Sequence, residues 1–345
     1  MRWSRRIAGF LVVFGFMTGS VYLTFLAPNY FADRTQSKAI FIPRGATFAD
    51  IADSLYQNGV VRRKFCFVLA GKLLGWAEKI RAGKYLLFNG ASNFEILRDL
   101  HTGRSAINIT ITLVEGQTAR SYAHILAREV GIDPVRFMAL VNDSTFAREL
   151  GIEASSLEGY LFPNTYEFYW QEDEEAIIRQ LVGTFKHFYN DSLQEQARKL
   201  GLTTEQVVTL ASIVDAEAKV DSERSIIAGV YLNRLRRGMR LEADPTVQYA
   251  LGKQGRVYWK DLDVQSPYNT YLYAGLPPGP INNPGMRSIK AVLYPSRHQY
   301  LFLVSNGRGG HVFSRTYREH QRAVQKYRKI REQSALGGRR ENAIR

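Results

Sequence analysis

From Ile7 to Ala27 the chain runs for 21 residues without a charged side chain. As a helix that stretch spans roughly 32 Å, about one bilayer hydrocarbon core. Arg2, Arg5 and Arg6 precede it, and Asp33 is the first charge after it. The positive-inside bias therefore places the N-terminus in the cytoplasm and the rest of the chain outside. A cleaved signal peptide is the alternative, but its apolar region is shorter and ends in a small-x-small site. Here Phe25 and Ala27 occupy those positions and Pro28 follows, so the stretch reads as a retained anchor. No second apolar run approaches this length, which excludes a multi-span protein.

Composition narrows the remainder. A chain of 345 residues leaves room for about two domains, and 45% hydrophobic with 12% aromatic residues supplies a core and excludes wholesale disorder. The single cysteine, Cys66, excludes an intrachain disulfide framework and a multi-cysteine metal site. The six histidines are scattered, with no two at metal-ligand spacing on a helix. The net charge of +14 suggests nucleic acid or an anionic surface until it is located. Residues 1–6 carry +3 and residues 315–345 carry +7, which leaves +4 for the 308 residues between. The basic character lies at the two ends, and the anchor puts the C-terminal one outside the membrane. Nucleic acid and cytosolic cofactors are not expected as partners.

Residues 28–38 read as a polar linker between the anchor (7–27) and the exported part. A local pattern then recurs in IFIPRGATFADIADSL (40–55), YLLFNGASNFEILRDL (85–100) and ITLVEGQTARSYAHIL (111–126). Each predicts a strand, a glycine turn, a Ser/Thr N-cap and an amphipathic helix. The third copy fits an unrelated strand–turn–helix equally well. The first two copies, with residues 56–84 between them, resemble a LysM-like βααβ module of the kind that binds glycan in bacterial walls; a plain adaptor fits the same pattern. The fold expected is thus α+β: an anchor, a module over 39–105 and a larger mixed domain over 106–316. Within that domain helices are predicted at 119–130, 134–149, 173–200, 204–218 and 222–237, and strands at 108–114 and 300–304. VSNGRGGHVFS reads as a hairpin turning at Asn306-Gly307; its glycines do not form a phosphate loop. Residues 317–332 predict a basic helix, with 333–345 frayed or disordered.

Three stretches stand out chemically. In TTEQVVTLASIVDAEA (203–218), Thr203 and Gln206 form a capping-box pattern. Leu210, Ile213, Val214 and Glu217 then share one helix face. A carboxyl at the end of an apolar stripe has its charged form disfavoured, which suits a general acid. Periodicity alone favours an acid where the helix leaves the core, paired with a following arginine. Asp215 points elsewhere and reads as solvated or capping. Glu158 lies in SSLEGYLFPNTYEF, where aromatic and amide side chains around an acid suit either a sugar cleft or a core edge. Residues 240–284 hold proline and glycine at a density that fixes a long ordered loop, from which Asn269, Thr270 and Tyr271 would present polar groups.

Five motifs in order, LEGYLFPNTYEF (157–168), ASIVDAEA (211–218), YLNRLRRGMRLEADPTVQY (231–249), SPYNTYLYAGLPPGPINNPG (266–285) and GGHVFSRTYREH (309–320), resemble the YceG-like family of endolytic murein transglycosylases. The resemblance covers nearly the whole chain. It implies that Glu217 is the catalytic acid, the last Glu of an ASIVEKE-type segment whose earlier Glu is Asp215 here. It implies binding or supporting roles for Glu158, Tyr160, Asp244, Asn269, Tyr271 and His311. It implies no metal or organic cofactor, and as partners peptidoglycan glycan strands, the cytoplasmic membrane and peptidoglycan synthases. The reaction implied is non-hydrolytic: cleavage of the N-acetylmuramic acid–N-acetylglucosamine bond with closure of a 1,6-anhydro ring. One carboxyl serves as acid and then base, where a hydrolase pairs two, about 5–5.5 Å apart for retention or about 6.5–9.5 Å for inversion.

Overall fold

A computed structural model describes residues 2–342. The architecture is mixed α and β, with three two-stranded sheets among the described residues. The chain forms two compact units. One comprises Met1–Ile111, Ala127–Ile132 and Tyr166–Asp173, and the other comprises Thr112–Leu126, Asp133–Thr165 and Glu174–Arg345.

The first unit begins with α1 (Arg2–Val21), continued by a π-helical turn Tyr22–Leu26. Gly9–Leu26 is a helix long and apolar enough to cross a membrane. The segment expected as a linker is not a free tether. Asn29 and Phe31 are buried, and Phe31 belongs to the core of this unit. Next come β1 (Ser37–Ile42), α2 (Phe48–Gln57), α3 (Lys64–Leu74), β2 (Gly83–Phe88) and α4 (Asn93–Thr102). β1 and β2 pair antiparallel, with Ile40 opposite Tyr85 and Ile42 opposite Gly83. Alternate residues of both strands face inward, as a one-sided sheet requires. The repeated pattern is real in local structure. Thr47 and Ser92 each close a capping box, with Asp50 and Glu95. Gly45, Gly90 and Gly116, at matching offsets, all take positive φ. Gly71 matters for packing: a Cβ there would run into the ring of Phe48, which stacks on Phe67.

The chain passes into the mostly helical second unit at Thr112, returns to the first over Ala127–Ile132 and Tyr166–Asp173, and otherwise belongs to the second. β3 (Asn108–Leu113) leads into α5 (Ala119–Glu129), then α6 (Pro134–Val141) and α7 (Ser144–Glu149). β4 (Asn164–Tyr169) pairs with β3, followed by α8 (Glu174–Phe188) and α9 (Asp191–Leu200). The single helices expected over 134–149 and 173–200 are each two, because Asp143 and Asn190 cap new starts with their side chains. α10 (Thr204–Glu217) is the central helix. Every residue from Val207 to Val214 is buried, so its apolar surface wraps the helix and is not the single stripe expected. A 3-10 turn (Asp221–Glu223) leads into α11 (Arg224–Arg236), followed by α12 (Asp244–Ala250) and α13 (Met286–Leu293). α13 and α11 pack on α10.

The chain ends with β5 (Phe302–Ser305), β6 (His311–Ser314) and α14 (Tyr317–Asn342). The hairpin turns through 306–310, where the Asn306 side chain accepts from the amides of Arg308 and Gly310, so the connection is longer than a two-residue turn. The helix expected to end at 332 continues to Asn342, and positions 343–345 of the expected frayed end lie outside the described residues.

Candidate active site

Glu217 is the last residue of α10, and the backbone turns extended at Ala218. The end of a fully packed helix thereby delivers a carboxyl, 20% exposed, into a cleft of about 680 Å³. Facing it is His311, the first residue of β6, with Nε2 3.5 Å from a Glu217 oxygen. His311 is held from behind. Glu223 accepts from its backbone N–H at 2.9 Å and lies 2.8 Å from ring Nδ1. Gly310 permits this approach, because a Cβ there would stand 2.6 Å from the Glu223 carboxyl. Burial opposes charge on the imidazole, but its bonds to Glu217 and Glu223 outweigh that and raise its pKa. Since Nδ1 faces a carboxylate it carries hydrogen, which leaves Nε2 toward Glu217. The Glu217 carboxyl and the His311 imidazole thus face each other directly across the cleft.

The other walls are polar and aromatic. Tyr231, Asp244 and Tyr271 line the cleft, and Tyr271 Oη donates to Asp244 Oδ1 at 2.7 Å. Burial, and then the neighbouring Glu217 charge, push the Tyr231 phenol well above its ordinary value. Burial, and then Asp244, do the same to Tyr271. Both phenols therefore stay neutral and able to donate. Burial also raises Asp244, against the lowering effect of the Tyr271 bond and with the help of Glu217. Arg234 reaches the cleft too, its guanidinium fixed by the carbonyls of Leu301 at 2.6 Å and Leu241 at 2.8 Å.

The expected residues thus divide. Glu217, Asp244, Tyr271 and His311 line one cleft. Glu158 is buried elsewhere, accepting from the Ala119 amide at 2.9 Å at the start of α5 and from Asn283 Nδ2 at 3.2 Å. Burial raises its pKa to about 7 against the Ala119 bond. Tyr160 lines a different hollow, of about 800 Å³, with Phe185 and Glu205. Asn269 is buried, donating to the carbonyls of Leu262 and Val264 while its Oδ1 accepts from the Tyr271 amide. It shapes the 240–284 loop, as does Thr270, whose hydroxyl accepts from Ala243 N, so of the three loop residues only Tyr271 is presented to the cleft.

Asp215 is also not solvated. Its side chain is 3% exposed and pairs with Arg224 at 2.8 Å, and Ser288 Oγ donates to it at 2.5 Å. Arg224 in turn reaches Glu115 at 3.1 Å. Sequence reasoning missed Glu223 and Asn283. Glu223 lies in a charged run, KVDSER, without periodicity, so nothing local distinguishes it. Asn283 sits in a recognised motif, but its bonds to Gly159 N, Leu161 N and Glu158 are long-range.

The second unit therefore presents a carboxyl–imidazole pair in an open cleft that is also lined by two phenols and a second carboxyl, Asp244. The chain belongs to the YceG-like family, whose model matches residues 40–326. It is 35% identical over 304 residues to the Bacillus subtilis protein named endolytic murein transglycosylase, covering 84% of each chain. It is 28% identical over 316 residues to the protein of the same name from Streptococcus pneumoniae, covering 82% of this chain and 57% of that one. A solved YceG-like protein from Listeria monocytogenes superposes with a TM-score of 0.58 at 30% identity, over 83% of this chain and 98% of that one.

Proposed function

We propose that the chain is a membrane-anchored endolytic lytic transglycosylase of peptidoglycan, and that Glu217 is its catalytic acid. The observation that carries this reading is the placement of Glu217 in an open polar cleft with the His311 imidazole facing it at 3.5 Å; the relatives named above supply the reaction class. Glu217 donates its proton to the oxygen between N-acetylmuramic acid and N-acetylglucosamine. The carboxylate then takes the proton of the muramoyl C6 hydroxyl, which closes on C1 as a 1,6-anhydro ring. The leaving sugar gains one proton and the C6 hydroxyl loses one, so the step balances without water. Positive charge develops at C1, and Glu217 itself, with the Asp244–Tyr271 pair, supplies facing negative charge and oriented oxygen.

A hydrolase reading built on Glu217 and Glu158 is not favoured, since Glu158 is enclosed between Ala119 and Asn283. Asp244 is the better second carboxyl, and its presence in the cleft is the observation that favours hydrolysis as the competing reaction. Incubating the full chain with purified peptidoglycan and analysing the ends by mass spectrometry separates the two. Anhydro-muramoyl ends within long strands support the proposal, and reducing muramic acid ends refute it.

The charge pattern around the apolar helix supports the localisation. Arg2, Arg5 and Arg6 support a cytoplasmic N-terminus with the chain beyond the anchor outside. There the enzyme meets nascent strands beside the synthases, and its cuts terminate glycan elongation. The β1–α2–α3–β2 arrangement supports a LysM-like reading of the first unit.

A further inference from the structure

Phe65, Leu69 and Leu73 stand four residues apart on α3 and share one face. They are 78%, 36% and 66% exposed. Phe67, Ala70 and Gly71 of the same helix are buried in the core of the first unit. α3 thus has two apolar faces, and the second is left open.

The position of α3 identifies what covers that face. α3 and α4 pack against the π-helical turn Tyr22–Leu26. Phe25 of that turn packs on the core, and Asn93 Nδ2 donates to the Thr24 carbonyl at 2.9 Å. Arg62 N, two residues before α3, donates to Asn29 Oδ1 at 2.9 Å. Only Ala27 and Pro28 separate that asparagine from the turn. The last turn of a 21-residue apolar span lies at the outer edge of the hydrocarbon, and whatever packs around it lies at that depth. Exposed Arg62, Arg63 and Lys72 flank the stripe, and α3 contains no acidic residue. An apolar face bordered by basic side chains is the composition of a helix that lies in a membrane interface.

We propose that α3 is an interfacial helix: Phe65, Leu69 and Leu73 enter the outer headgroup–acyl boundary beside the anchor, with Arg62, Arg63 and Lys72 toward anionic head groups. This rests on reading α1 as membrane-spanning. The contact fixes the first unit against the bilayer at two points, the anchor and the stripe.

The test uses the full chain with Cys66→Ser, reconstituted in phosphatidylglycerol–phosphatidylcholine vesicles that contain spin-labelled lipid. An environment-sensitive fluorophore is attached at Leu73→Cys or, separately, at Val12→Cys in the anchor. Both labels are expected to shift to the blue and to be quenched by the spin label. Adding Phe65→Asp should abolish the shift and quenching at position 73 and leave them at position 12. Quenching at 12 but a water-like label at 73 overturns the interfacial helix while the anchor stands. Quenching at neither position overturns the anchor reading and this one with it. Quenching at 73 that survives Phe65→Asp also overturns it, since the stripe would not be what holds the label.

Discussion

The buried carboxyl of Glu158 makes stability depend on pH in a direction that can be worked out. Its folded pKa of about 7 lies above the ordinary 4.5, because burial penalises the charged form more than the Ala119 bond favours it. Between those values the folded state binds more protons than the unfolded one, so stability falls as pH rises. The contribution is fully present below pH 4.5 and is lost as pH passes through 7. A shift of that size corresponds to roughly 3 kcal/mol in total, at no more than about 1.4 kcal/mol per pH unit. Glu158→Gln mimics the protonated carboxyl and keeps an oxygen for Ala119 N and Asn283 Nδ2. Thermal or urea unfolding of the detergent-solubilised chain from pH 4.5 to 8.5, followed by the signal of the second unit, should show a falling curve for the parent. The variant should give a flatter one, with the two diverging between about pH 4.5 and 7 in favour of Gln. Parallel curves for the two proteins would refute the assignment of a buried, proton-retaining carboxyl at this position.

Three further outcomes follow from the packing and the cleft. Arg224→Ala leaves Asp215 and Glu115 without their shared cation, and should cost about 3–5 kcal/mol in urea unfolding. Glu223→Gln removes a carboxylate that helps hold a proton on His311; the alkaline limb of the kcat/KM profile on peptidoglycan should move to lower pH, while urea stability changes little. Gly71→Ala forces a methyl group against Phe48 and should destabilise the first unit by about 1–3 kcal/mol, read by hydrogen exchange of α2 and α3, with activity on soluble glycan fragments retained.

What was legible in the sequence was local or periodic. The 21-residue apolar run, the Thr47 and Ser92 caps and the glycine turns after each strand are written in consecutive residues, and the structure carries them as read. The breaks at Asp143 and Asn190 are equally local, but they compete with an unbroken apolar period that masks them. Asp215 looks solvated in sequence if only one face of α10 is buried, whereas α10 is buried all round from Val207 to Val214 and Arg224 arrives from another helix to pair with it. Glu158 and Asn269 look like ligand-binding residues in sequence because acids and amides among aromatics have two uses. Only the three-dimensional partners, Ala119 N and Asn283 for one and two loop carbonyls for the other, distinguish a cleft from a buried brace. The site is assembled from residues 217, 223, 244, 271 and 311, and no periodic signal links positions so far apart.

The central claim is that the carboxyl of Glu217 performs the chemistry. Glu217→Gln should leave the folded structure intact, since the side chain is partly exposed and the packing of α10 ends before it. The direct measurement is the count of anhydro-muramoyl ends released from purified peptidoglycan by the parent and by Glu217→Gln, each verified as folded by its unfolding transition. The account predicts release by the parent and a loss of at least about a thousand-fold in the variant, the scale of losing the acid–base group. Anhydro ends formed at an undiminished rate by a folded Glu217→Gln protein would contradict it.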